Sequence, residues 1–213
     1  MPPAAKTVAA KTIATKTIAT KTIAAIALAV ATATAASAQD FASLYSSTAA
    51  RNCKQVDAAK NGEGAWTIWL CPGIGGNVVR VTEDDLRMTV SIGRDLKSAA
   101  DAPASKHQFA PFNSVHDTLE WRTTKGAPFA TIQRWFLSDA SNVDKAGKPA
   151  QVAMLIVTRL NPACHVGYVD VHANAIANAM ARKAADEHSR DFDCNNQPMV
   201  IGKRSRAIEL ATP

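Results

Sequence analysis

The stretch AWTIWLCPGIGGNVVRV, residues 65–81, decides the fold, because its glycine run fits either a phosphate-cradling loop or a turn between two strands. A nucleotide loop needs Gly-x4-Gly-Lys-Ser/Thr opening a helix, so that backbone N–H groups and a lysine converge on phosphates. Residues 73–81 carry no lysine and run into Val78, Val79 and Val81, which favour a strand. Upstream, Trp66, Ile68 and Leu70 alternate with Thr67 and Trp69, the period of a half-buried strand. The stretch is therefore expected to be a hairpin whose turn sits beside a disulfide at Cys71, and nucleotide binding is excluded on both residues and context.

Strand patterns continue outward from this hairpin. Leu86, Met88, Val90 and Ile92 point one way, and Arg87, Thr89 and Ser91 the other. Residues 93–116 are polar with two prolines and are expected to form a long loop. Asp117 to Leu137 is expected to be a hairpin turning at Gly126 and Pro128, and residues 139–149 a second mobile loop. QVAMLIVTRL, residues 151–160, is almost continuously apolar and suits a strand buried on both faces, with ACHVGYVDV beyond Asn161–Pro162 as its neighbour. A helix is expected from about Ala173 to Ser189, with Ile176, Ala177, Met180 and Ala184 on one face and Asp170 or Asn174 helping its start. The expected class is α+β: a mainly antiparallel sheet of roughly seven or eight strands with one C-terminal helix packed on it, stapled by disulfides.

The first 38 residues have the three parts of a secretory signal peptide. Lys6, Lys11, Lys16 and Lys21 supply a positive start, residues 22–36 a weakly apolar segment, and Ala36-Ser37-Ala38 a small-x-small cleavage site before Gln39. The lysines fall in a five-residue repeat, and five residues turn a helix by about 500°, so no single basic stripe forms. The apolar part is short of the roughly 20 residues a membrane span needs. Residues 39–213 are then one domain, exported to the periplasm or secreted, with no membrane span left after processing.

Cleavage also changes the charge. Four of the 24 Lys+Arg and none of the 18 Asp+Glu lie in residues 1–38, so the mature chain carries 20 against 18, or +2. The pI of about 9.3 is mostly a property of the leader. A nucleic-acid footprint needs clustered basic residues, and only Lys203, Arg204 and Arg206 cluster, so no nucleic-acid partner is expected. Four cysteines in an oxidising compartment imply two disulfides among three possible connectivities, and sequence proximity favours Cys53–Cys71 with Cys164–Cys194.

Reactive constellations are sparse. His165, Asp170 and His172 lie close in sequence, with Asp170 and His172 on one face of a strand, but no His-Glu-x-x-His or Cys-x2-Cys accompanies them. No Gly-x-Ser-x-Gly elbow occurs, and Cys164 and His165 are strand neighbours facing opposite sides. No catalytic residue, metal or cofactor is expected. On the 117–137 hairpin, Trp121 faces away from Glu120 and Arg122, while Arg134 alternates with Trp135. Pairing Arg122 near Arg134 around Glu120 yields a salt-bridge ladder over a core face; an exposed Trp121/Arg122/Arg134 platform is the alternative, suited to glycans or peptides.

The ordered segments NC…WLCPG, VTEDDLRM, LEWR, PFATIQRW, NPACHVGYVD and FDC, spread over most of the mature chain, resemble a group of small exported bacterial proteins. The resemblance implies export and the cysteine framework and attaches no activity. The expected function is a non-catalytic envelope protein that binds another protein or a glycan. The alternative is an exported hydrolase or metal-binding protein with its site near His165, Asp170 and His172.

Overall fold

The computed structural model describes residues 40–60 and 64–212. The expected signal peptide and its cleavage site lie outside the described residues. The strands are β1 (Phe41–Ser47), β2 (Lys54–Ala58), β3 (Trp66–Pro72), β4 (Val78–Asp84), β5 (Arg87–Gly93), β6 (Asn113–Thr124), β7 (Ala127–Val143), β8 (Pro149–Arg159), β9 (Cys164–Asp170) and β10 (Met199–Val200). Three helices join them: α1 (Leu96–Asp101), α2 (Ala177–His188) and α3 (Arg206–Ala211).

The described residues are mainly β, as expected, but their ten strands form two sheets where one was expected. The orders are β1-β6-β7-β8-β9-β10 and β2-β3-β4-β5. Every pairing is antiparallel except that of β10 with β9. The second sheet explains the strand count: Val79, Val81, Val90 and Ile92 pack against Trp121, Trp135, Met154, Ile156 and Tyr168 in one core. Alternate residues of the six-stranded sheet, Ala130, Ile132, Leu155 and Val157, face α2 instead. Continuous apolar runs such as residues 153–157 follow from this burial on both sides.

The opening stretch forms the β3–β4 hairpin. Gly75 and Gly76 adopt φ of +65° and +74° in its turn. A Cβ on Gly73 would lie 2.5 Å from the Asn77 carbonyl oxygen, whose Gly73 N–H bond closes the turn at 3.1 Å. Both proposed disulfides are present, Cys53–Cys71 and Cys164–Cys194.

Two helices were not expected. Within residues 93–116, α1 starts on a reciprocal cap between Asp95 and Ser98, and a 3-10 turn follows at Pro103–Lys106. At six residues, α1 and α3 are too short for helical periodicity to stand out. The expected loop over residues 139–149 is narrower, since β7 runs to Val143 and the turn lies at 144–148. The helix expected from Ala173 begins at Ala177. Its buried stripe is Ala177, Ala181, Ala184 and Ala185, small enough to bring the helix close to the sheet, and Ile176 stands 67% exposed before it.

Candidate functional site

A single extra residue in β9 builds the site. Val157 pairs with Gly167 and Thr158 with His165, so Val166 has no counterpart on β8. Such a bulge reverses the side-chain alternation, and it turns His165 to the same side as Tyr168, three residues on. A third ring, His107, arrives directly after the Pro103–Lys106 turn. That turn is tied to the head of β9 by the Ala104 N–H donating to the Ala163 carbonyl at 2.9 Å.

The Tyr168 hydroxyl bridges the two histidines, 3.1 Å from His165 Nδ1 and 3.2 Å from His107 Nε2. The imidazoles lie 4.8 Å apart between centroids. Phe109 stacks on His165 at an interplanar angle of 12° and meets Trp135 edge-on, which walls the triad off from water on its inner side. Burial, followed by the neighbouring His107, pushes the His165 pKa down to about 3. Burial also lowers His107 and raises Tyr168. At neutral pH the triad is uncharged, because each shift favours the neutral form.

This neutrality makes the bridge directional. A phenol has one proton, and a hydroxyl this deep is costly to leave without an acceptor. Tyr168 therefore donates to one imidazole and accepts an N–H from the other. The two remaining ring nitrogens, His165 Nε2 and His107 Nδ1, have no hydrogen-bond partner among the described residues. One is thus an N–H donor and the other a bare acceptor, and rotation of the phenolic proton with both tautomers exchanges their roles. Both histidines line a cleft of about 210 Å³, whose opposite wall is Cys194, Asn195, Asn196 and Gln197. The Cys164–Cys194 bond joins that wall to β9.

The residues singled out from sequence are dispersed. His165 is in the cleft, but Asp170, fully buried, accepts the backbone N–H groups of His172 and Ala173 at 2.9 Å each and the Ser205 hydroxyl. It closes the turn that leads to α2, and His172 is exposed on that turn. Among the described residues, no three His, Cys, Asp or Glu side chains gather into a metal-binding group. Trp121 is fully buried and donates its indole N–H to Ser46 Oγ at 2.8 Å, so it forms no surface platform.

The expected Arg122/Arg134 ladder also needs correction. Arg122 lies opposite Ala130, and Arg134 opposite Leu155 on the other neighbour of β7. The register of the hairpin, with Glu120 opposite Ile132 and Arg122 opposite Ala130, leaves Arg134 four residues along β7 from the position facing Arg122. Arg122 instead makes a two-pronged bond to Asp186 of α2, at 2.9 and 2.7 Å, and Arg182 of α2 binds Glu120 at 2.6 and 3.1 Å. The polar face of β6 is a buried helix-to-sheet clamp. Tyr168 is a neighbour that the sequence could offer His165, and the bulge that brings the two rings together shows only in strand pairing; His107 was missed, because it comes from the distant 93–116 segment.

Compared with known protein families, curated proteins and solved structures, the chain has no match.

Proposed function

We propose that the protein is an exported, periplasmic or secreted, non-catalytic domain that binds a neutral hydroxyl- or amide-bearing ligand of the cell envelope, a glycan or a peptide, at His107 and His165. The observation that carries this reading is the pair of unpartnered, uncharged imidazole nitrogens, one donor and one acceptor, beside the amides of Asn195, Asn196 and Gln197. A sugar hydroxyl and a peptide group each offer both a donor and an acceptor, so they match such a pair where a simple anion or cation does not. Export is supported by the leader-like first 38 residues and by two disulfides, which persist in oxidising compartments. No helix among the described residues is long and apolar enough to cross a membrane.

The hydrolase alternative has weaker support. A base whose conjugate acid has a pKa of about 3 accepts a proton poorly near neutrality, and both cysteines at the cleft are committed to a disulfide. Titration of the protein with peptidoglycan fragments, neutral oligosaccharides and short peptides, followed by imidazole NMR resonances, tests the proposal. A ligand of this class is expected to shift His107 and His165, and His107→Ala to weaken it about tenfold, the worth of roughly one hydrogen bond. Imidazole resonances unmoved by every fragment would sink it.

A further inference from the structure

The two sheets have four edges, and three are protected. β10 is only two residues long and follows Pro198. β2 is bulged between Gln55 and Asp57 and carries Lys54 and Asp57. β5 is packed by α1, and Asn113 occupies its rim, its side-chain oxygen accepting the Met88 N–H at 3.0 Å and its own N–H reaching Leu86 O at 3.0 Å. These are the ways in which proteins keep open edges from pairing. β1 has none of them. Its seven residues, FASLYSS, pair with β6 without a register shift, contain no charge and no proline, and leave the other side without a strand neighbour among the described residues. Leu44 is 42% exposed and Tyr45 55% exposed. They stand on opposite faces of the sheet, Leu44 on the side of Trp121 and Tyr45 on the side of Arg182, so an added strand would be flanked by a large side chain on each face.

We infer that a second copy of this chain occupies this edge, with β1 pairing antiparallel to β1 of the other copy about a two-fold axis through Leu44. The sequence of the strand is reciprocal about that residue. Leu44 meets its own counterpart, Ala42 meets Ser46, Ser43 meets Tyr45 and Phe41 meets Ser47, so each aromatic ring lies across from a serine and no two bulky rings collide. Charge agrees. Asp40 precedes the strand, and Arg51, with its side chain 78% exposed and 3.9 Å from Asp117, follows it. Antiparallel pairing brings the Asp40 end of one copy to the Arg51 end of the other. The result is one twelve-stranded sheet across the dimer with a self-complementary interface, the arrangement that two-fold symmetry requires.

Sedimentation velocity of the oxidised protein, from micromolar to near-millimolar concentration, tests the inference. A reversible dimer is expected, and Leu44→Lys, which sets two like charges on the axis, is expected to weaken it at least tenfold with an unchanged circular dichroism spectrum. A protein monomeric throughout overturns the inference, as does a dimer indifferent to Leu44→Lys. Cross-linking fixes the register independently of that variant's folding. Leu44→Cys is expected to form a disulfide-linked dimer in air, whereas Tyr45→Cys does so only when mixed with Ser43→Cys. Equal cross-linking of Leu44→Cys and Tyr45→Cys alone overturns the pairing.

Discussion

The consequences of burying His165 show first in acid. Its folded pKa of about 3 lies below the value of about 6.5 for a free imidazole, so below pH 6.5 the unfolded chain binds the extra proton. Stability contributed by the neutral ring is complete above pH 6.5 and is lost as pH falls toward 3, by an amount on the order of a few kcal/mol across the window. His165→Asn keeps an amide atom near the Nδ1 position that meets Tyr168. Urea titrations between pH 7 and 3.5 are expected to show a shallower acid slope for this variant than for the wild type; an identical slope would assign the acid sensitivity to other groups. His165 itself stands out in the sequence as a polar residue in an apolar strand. Its partners do not, because strict alternation places residues 165 and 168 on opposite faces, and His107 sits in a stretch whose composition suggests a loop. Trp121 was more legible, since its alternation with Glu120 and Arg122 already assigned the indole and the charges to opposite sides.

At the scale of elements, α2 is held by charge as much as by its alanines. Arg122 and Asp186 keep only 8% and 16% of their side-chain surfaces exposed, so removing one partner strands the other. Asp186→Ala is expected to cost about 3–5 kcal/mol in chemical denaturation, whereas Arg122→Met combined with Asp186→Leu is expected to recover most of that loss. The helix was legible from its spacing, but its ionic partners depend on which strand lies beneath it, which its own sequence does not reveal. β10 depends on a different residue. A Cβ on Gly167 would lie 2.7 Å from Ile201 Cδ1 and 2.9 Å from the Met199 carbonyl oxygen. Gly167→Ala is expected to destabilise by about 1–3 kcal/mol. It should also speed hydrogen exchange at the Ile201 N–H, which donates to Tyr168 O at 2.9 Å.

For the whole molecule, the two covalent links tie different parts. Cys53–Cys71 spans 18 residues and staples β2 to β3, whereas Cys164–Cys194 spans 30 and carries the chain from β9 around α2 to the cleft wall. Loop-closure entropy assigns them about 3 and about 4 kcal/mol. Replacing Cys164 and Cys194 together by alanine is therefore expected to lower the unfolding free energy more than replacing the other pair, and it alone should abolish ligand-induced shifts at His107. Intact mass of the protein made in its own host is expected to show a start at Gln39 and a deficit of four hydrogens; a full-length chain with free thiols would refute export. The mainly β class and both disulfides were legible from strand periodicity and cysteine spacing. The division into two sheets was not, because alternation tells which residues are inside but not which sheet faces them. The extra residue in β9 has an evolutionary side. Loss of the Val166 codon would leave His165 two residues before Tyr168, still opposite Thr158, and ordinary alternation would keep the imidazole and the phenol on one side. Strand pairing on both sides of it would survive as well, which makes this codon a place where a lineage could change the length of the strand and keep the site.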